Sequence, residues 1–364
     1  MNLKLRIVDY YIIRKFLGTF LFALLLIIAI AVIFDFAEKL DDFIEKEAPL
    51  RAIIFDYYLN FIPYFAVLFS PLFTFITVIF FTSKMAYNTE IIALLSNGMS
   101  FNRLLWPYFL GSLLIAIFTF VMNNFVIPHA NMERLEFEEV YYRNSPVSYT
   151  QRNIHKQVLP NLYVYMESYS NMQDVGYKFA MEEFNDSGEL KSKMIGDYIK
   201  WDTTLNKWIV RNYYIRRIDG MKETIEKGRE IDTTLNIFPS DFARRESIVS
   251  TMNLQELNLF ITQQKLQGAD NVEVYLIERF GRFAMPFSTF ILTLIGLTLS
   301  SRKVKGGIGV QIGAGIFLSF SYIFFMQFSS QFAISGSIPP LLAVWIPNII
   351  YLVIGLILYR MAPK

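Results

Sequence analysis

Hydrophobic positions along this chain collect into six long runs, and polar positions collect between the third and the fourth. The runs are Phe16 to Phe34, Tyr58 to Thr82, Leu104 to Val126, Ala284 to Ser300, Ile308 to Phe328 and Ile338 to Tyr359. Each is close to the roughly 20 residues a helix needs to cross a hydrocarbon layer of about 30 Å, so the pattern predicts six membrane-spanning helices. Pro63 and Pro71 predict a kink in the second. Between the second and third runs, TEIIALLSNGMS (89–100) keeps helical spacing but is too short to span. Ile91, Leu94 and Leu95 share one face, Glu90 sits favourably in the first turn, and Gly98 stops a helix expected over about 86–98.

After the third run the period shortens. NLYVYMESYS (161–170), YKFAMEEF (177–184) and GDYIKWDTTLNKWIVRNYYIRRIDGMKETI (196–225) are rich in aromatic and β-branched residues. Turn signals at NDSG (185–188), Thr204 to Lys207 and Asp219-Gly220 separate them, which predicts consecutive antiparallel hairpins and a β-sandwich or jelly roll. In MNLQELNLFITQQKLQGAD (252–270), Asn253 is a helix cap with Glu256 three residues on, and Gly268 is a stop, so a linking helix is expected over 253–267. The expected fold is an α-helical membrane protein with six transmembrane helices, three plus three, and an inserted extracytoplasmic β-jellyroll domain. Its boundaries fall at 1–126, 127–275 and 276–364.

Composition agrees with the pattern, at 54% hydrophobic and 18% charged residues. The absence of cysteine removes disulfides and thiolate metal sites. A net charge of +2, with bases and acids scattered, gives no case for nucleic acid. Basic residues do cluster by loop: Lys4, Arg6, Arg14 and Lys15 precede the first span, Lys84 and Arg103 flank the short helix, and Arg302, Lys303, Lys305, Arg360 and Lys364 follow later spans. The segment after the first span, DFAEKLDDFIEKEAPLR (35–51), is acidic. The positive-inside rule then puts both termini and the short helix in the cytoplasm, with the first span an uncleaved anchor.

Candidate chemistry is sparse. No G-x-x-x-x-G-K-[ST] is present, so ATP use must come from another subunit. His129 and His155 lack the partners of a zinc site or hydrolase triad and read as surface histidines. Neither Asp nor Glu lies deep in a run, unlike the carriers driven by protons or sodium. Lys39, Arg279 and Arg282 stand at the outer ends of spans, where they either snorkel or hold a lipid headgroup. Gly309 and Gly313, in GxxxG spacing, serve close helix packing or a seam that opens.

EIIALLSNGMS (90–100), VIPHAN (126–131), the helix at 252–270, ERFGRFAMPFSTFILTLIGLTLSS (278–301) and SIPPLLAVWIPNIIYLVIGL (337–356) together resemble the LptF/LptG permease family of the lipopolysaccharide exporter, in order and over nearly the whole chain. The ordering of VDYYIIRKF and FDFAEKL leans toward LptG. The resemblance implies a non-catalytic subunit in the inner membrane of a Gram-negative bacterium, with the β domain periplasmic. It pairs with a homologous second permease, a cytoplasmic LptB-like ATPase dimer that binds the ATP and Mg²⁺, a single-span LptC-like protein and an LptA-like bridge. No cofactor is bound by this chain.

By the same resemblance, Glu90 with Ile91, Leu94, Leu95 and Gly98 forms the coupling helix that docks in the ATPase. The first and fifth spans form a lateral gate, and Phe61, Phe65, Phe69 and Phe317 contact acyl chains. The acidic stretch around Lys39 departs from LptG-like relatives, so the partner supplies cations, divalent ions bridge acid to phosphate, or the lipid A is less phosphorylated. Tyr163, Tyr165, Phe179, Trp208 and Tyr213 line an apolar slide or form an ordinary core. The competing readings are a permease of another lipid or lipoprotein exporter, and a non-transporting scaffold whose β domain binds a partner.

Overall fold

The computed structural model describes residues 6–142, 150–170, 172–235, 237–239, 246–269, 272–301 and 307–362. The chain divides into two units. One comprises Met1–Tyr142, Val249–Leu257 and Glu273–Lys364; the other comprises Arg143–Ile248 and Asn258–Val272.

The first unit is helical. Helix α1 (Ile7–Glu45) is followed by the single turn α2 (Leu50–Ala52), a π-helical segment Ile53–Tyr58, α3 (Leu59–Tyr87), the short α4 (Glu90–Ser96) and α5 (Phe101–Val121). A second π segment, Met122–Val126, leads into α6 (Ile127–Tyr141). Each π segment precedes a proline, Pro63 and Pro128, and a π turn next to a missing N–H is a recognised way for a long helix to change direction. The later spans are α8 (Val272–Ser300), α9 (Gly307–Ile334) and α10 (Pro340–Met361). All six apolar runs therefore lie in helices long enough to cross a bilayer. Most extend beyond the run, because charged residues outside the hydrocarbon do not interrupt helical hydrogen bonding. The helical unit accordingly continues through α6 to Tyr142, past the boundary expected at 126/127.

Two apolar clusters hold the spans together. One gathers Phe16, Phe20, Phe81, Met85, Leu104 and Tyr108 from α1, α3 and α5, and the other gathers Phe75, Ile79, Ile295, Tyr322 and Tyr351 from α3, α8, α9 and α10. Lipid offers these faces no hydrophobic drive, so close packing and interhelical hydrogen bonds carry the association. Asn348 illustrates the second term: its Nδ2 donates to the carbonyl of Ala284 at 3.2 Å, and its Oδ1 accepts from Tyr322 Oη at 2.9 Å.

The second unit carries the inserted β domain: β1 (Thr150–Leu159), β2 (Leu162–Ser170), β3 (Val175–Phe184), β4 (Leu190–Asp202), β5 (Lys207–Asp219) and β6 (Lys222–Thr233). Each strand pairs antiparallel with its sequence neighbour in the order β1-β2-β3-β4-β5-β6. Among the described residues this is a meander built from tight turns, without the crossing order of a jelly roll. The predicted turns hold it: Asn185 Oδ1 accepts from the backbone of Ser187 and Glu189, and Asp202 Oδ1 from Thr204 and Leu205. Phe179 and Trp208 are fully buried on the core face, and the Trp208 indole donates to the Ile237 carbonyl at 2.7 Å. Tyr163 is exposed, so the five aromatic residues expected to act together are divided between core and surface.

Helix α7 (Leu254–Leu266) begins as its sequence requires. Asn253 Oδ1 accepts from the amides of Gln255 and Glu256, and Glu256 Oε2 accepts from the Asn253 amide at 2.9 Å.

Candidate functional site

Helix α4 is bracketed by left-handed residues, Thr89 at φ 62° and Gly98 at φ 84°. It is therefore a separate seven-residue element, not the 86–98 helix expected, because Tyr87 still belongs to α3 and the left-handed Thr89 breaks the run. Ser100 then caps α5 by accepting from the Arg103 amide at 3.3 Å.

The apolar face of α4 turns inward. Ile91 is fully buried in the cluster that holds Phe16, Phe81 and Leu104, and Leu94 and Leu95 pack against it. Ile92 (47% exposed), Ala93, Ser96 and Asn97 are the residues left to solvent. Ile91, Leu94 and Leu95 are thus the foundation of the helix, and the residues that face outward lie on its opposite side.

Glu90 ties this helix to α1. Its Oε2 accepts from Tyr11 Oη at 2.8 Å and lies 3.4 Å from Lys15 Nζ, and Asn88 Nδ2 reaches Oε1 at 3.5 Å. Burial alone would raise its pKa, but the hydrogen bond from Tyr11 and the charge of Lys15 outweigh that and hold the carboxyl below the usual range. A second tie joins α1 to α5. Asp9, 1% exposed, receives both guanidinium nitrogens of Arg103 at 2.7 and 2.5 Å, and also accepts from the Arg6 amide at 2.8 Å. Neither Asp9 nor Tyr11 is singled out by the sequence pattern. The signal that would have found Asp9 is its place three residues after Arg6 in a basic leader, where a carboxylate caps the first turn.

Two of the three expected headgroup cations, Lys39 on α1 and Arg282 on α8, are already engaged. Lys39 is buried, pairs with Asp35 at 2.8 Å, donates to Tyr57 Oη, and lies over the rings of Tyr57 and Tyr142 at 4.6 and 4.7 Å. Tyr58 also donates to Asp35, at 3.2 Å. Arg282, 4% exposed, donates to the carbonyls of Met252 and Val249 and pairs with Glu278 at 3.0 Å. It closes the 3-10 turn Glu246–Thr251 and does not project from the rim. Of the three cations expected there, Arg279 is the one with no carboxylate partner among the described residues; it lies over Phe280.

The four phenylalanines also separate. Phe61 is buried in an aromatic cluster with Tyr57, Tyr58 and Phe137, so it is core and does not face an acyl chain. Phe61, Phe65 and Phe69 form a ladder along α3, with centroid spacings of 3.9 and 5.8 Å, and Phe65 and Phe69 are half-buried. Phe317 is 72% exposed on α9.

The small-residue face of α9 splits likewise. A Cβ placed on Gly315 would collide with Ile79, so Gly315 is the glycine that lets α9 approach α3. Gly309 and Gly313 meet nothing within 4 Å and face outward. Helices α1 and α9 are the least covered spans, each with 22% of its apolar window buried, against 61% and 67% for the α3 and α8 spans.

Three spans, an inserted β domain and three further spans, with a short helix clamped to one end of the bundle, define a multi-pass membrane protein. The sequence pattern of the family described as lipopolysaccharide export system permease LptF/LptG matches residues 10–361, and the chain belongs to that family. It is accordingly a multi-pass inner-membrane protein and a permease subunit. No individually curated protein matches the chain.

Proposed function

We propose that this chain takes lipopolysaccharide from the inner membrane and passes it outward, driven by ATP hydrolysis in a separate cytoplasmic subunit that docks on α4. The termini and α4 face the cytoplasm, and the β domain is periplasmic, as the distribution of basic residues supports. A homologous second permease covers α1 and α9. A single-span LptC-like protein and an LptA-like bridge receive the lipid, and ATP and Mg²⁺ stay on an LptB-like dimer.

The observation that carries this reading is the clamping of α4. A seven-residue helix is too short to be stable alone, yet Ile91 is sunk in the bundle core and Glu90 is bonded to α1. A push on Ile92, Ala93, Ser96 and Asn97 therefore reaches α1, one wall of the expected gate, without passing through a flexible joint. Gly98 gives the lever a defined end. For the lipid, Phe65, Phe69 and Phe317 offer apolar contacts and Arg279 offers the cation at the outer rim.

The test is reconstitution of the assembled exporter in vesicles with Glu90→Lys, which sets like charge against Lys15. ATP hydrolysis should continue while lipopolysaccharide release falls on the order of tenfold, within the usual range of coupling energies. Unchanged release, with the ATPase still bound, would overturn the assignment of α4 as lever.

A further inference from the structure

A groove of about 430 Å³ opens on the surface of the helical unit between α5, α8 and α10, apart from α1 and α9. Its walls are Trp106, Phe109, Phe290, Leu294 and Leu352. Trp106 stacks on Phe109 at 5.9 Å, and Phe109 on Phe290 at 5.1 Å. Ser112 and Thr293 lie deeper in it, but the Ser112 hydroxyl is held by the Tyr108 carbonyl at 2.8 Å and by Thr293 Oγ1 at 2.9 Å, and the lining is mostly apolar.

Three observations decide what fills it. The first is length. From Asn102 to Ser112 along α5 the groove covers ten residues, or about 15 Å, which is half of a 30 Å hydrocarbon core and so the depth of one leaflet.

The second is width. A helix seated here would need small residues that let two backbones approach, yet the walls are bulky aromatic and leucine side chains and include no glycine.

The third is chemistry at the end of the groove next to α4 and the chain terminus, which the proposed topology puts in the cytoplasmic leaflet. Asn102 accepts from Tyr359 through Oδ1, which brings the ends of α5 and α10 together, and its amide Nδ2 has no partner among the described residues. The Trp106 indole N–H, one turn deeper, also lacks an acceptor there. Arg360, next to Tyr359 in the last turn of α10, is exposed and pairs with no carboxylate among the described residues. Two neutral donors lining an apolar slot of leaflet depth, with an exposed cation one residue beyond the Tyr359 that bonds Asn102, complement a phosphate-ester headgroup above an acyl chain.

We infer that this groove is a binding site for one anionic glycerophospholipid, with an acyl chain between Phe109 and Leu352 and its phosphate at Asn102 and Arg360. The bound lipid fills a seam that the chain's own side chains leave open, and so supports the α5, α8 and α10 packing away from the transport path. The inference does not depend on lipopolysaccharide or on ATP.

The test places the full chain in vesicles of phosphatidylethanolamine and phosphatidylglycerol that contain either lipid with a photoactivatable acyl chain. Labelled peptides are then mapped. Phosphatidylglycerol should label residues 102–112 and 290–294 in preference to phosphatidylethanolamine. Leu352→Trp, which fills the slot from a half-exposed position, should lower that labelling about tenfold, the equivalent of roughly two lost methylene contacts. Asn102→Ala with Arg360→Gln should abolish the headgroup preference while chain labelling persists. Should Leu352→Trp unfold at a lower temperature than the parent, Phe109→Trp gives the same reading from the opposite wall. Equal labelling by the two lipids in the parent, labelling indifferent to both tryptophan variants, or a photoreactive residue at 109 that captures a protein helix instead of lipid would each overturn the site.

Discussion

At the residue scale, two carboxylates do different work at the same end of the bundle. Glu90 is about one-third exposed, and its bonds to Tyr11 and Lys15 lower its pKa against the opposing effect of burial. Because the folded value lies below the unfolded one, the ionised carboxylate adds stability above about pH 4.3, and that stability disappears as pH falls through the folded value. Thermal unfolding of the parent and of Glu90→Gln should therefore differ at neutral pH and converge only as pH falls through the lowered folded value. A constant gap would show that the carboxylate's charge is irrelevant. Asp9 is the buried case. With Arg103 bound through both guanidinium nitrogens, Asp9→Asn leaves a partly buried cation unanswered and should cost on the order of 3 kcal/mol. Asp9→Leu combined with Arg103→Leu should recover part of that loss, and a double-mutant cycle in chemical unfolding reads the difference.

At the element scale, α4 depends on the two backbone positions that isolate it. Nothing lies within 4 Å of a Cβ on Gly98, so Gly98→Ala costs only the left-handed conformation, about 1–2 kcal/mol. Thr89 is a β-branched residue in that same conformation, so Thr89→Gly should instead raise Tm, and opposite signs at the two ends check the backbone account. Elements were legible wherever a periodic signal existed. The six apolar runs, the Asn253 and Glu256 cap of α7, and the hairpins through Asp202, Asp219 and Gly220 all appear where the pattern puts them. Strand β1 was not legible, because TQRNIHKQVL has no alternation and gains its register from β2. The inward turn of Ile91 was not legible either, since periodicity defines an apolar face without saying what covers it. The same gap explains the candidate site. Lys39, Arg282 and Phe61 carry suitable chemistry, but only the folded chain shows that Asp35, two carbonyls and an aromatic cluster already hold them.

At the scale of the whole molecule, the spans divide by how much of each the chain covers itself. Helices α3 and α8 form the interior, whereas α1 and α9 leave most of their apolar surface uncovered. Residues Gly309, Gly313 and Phe317 all lie on the exposed part of α9, while Gly315 packs inward on Ile79. Two substitutions on one helix therefore separate self-packing from assembly. Gly315→Ala forces a methyl group into Ile79 and should destabilise the isolated chain by about 1–3 kcal/mol, read as a lower Tm. Gly313→Leu meets open space, so the isolated chain should unfold at the parent temperature. If the exposed face receives the second permease, however, the added bulk keeps the two backbones apart, and copurification of that partner should be lost. A Gly313→Leu chain that recovers its partner in full would show that this face meets lipid alone, and that the seam between the two permeases runs along another helix.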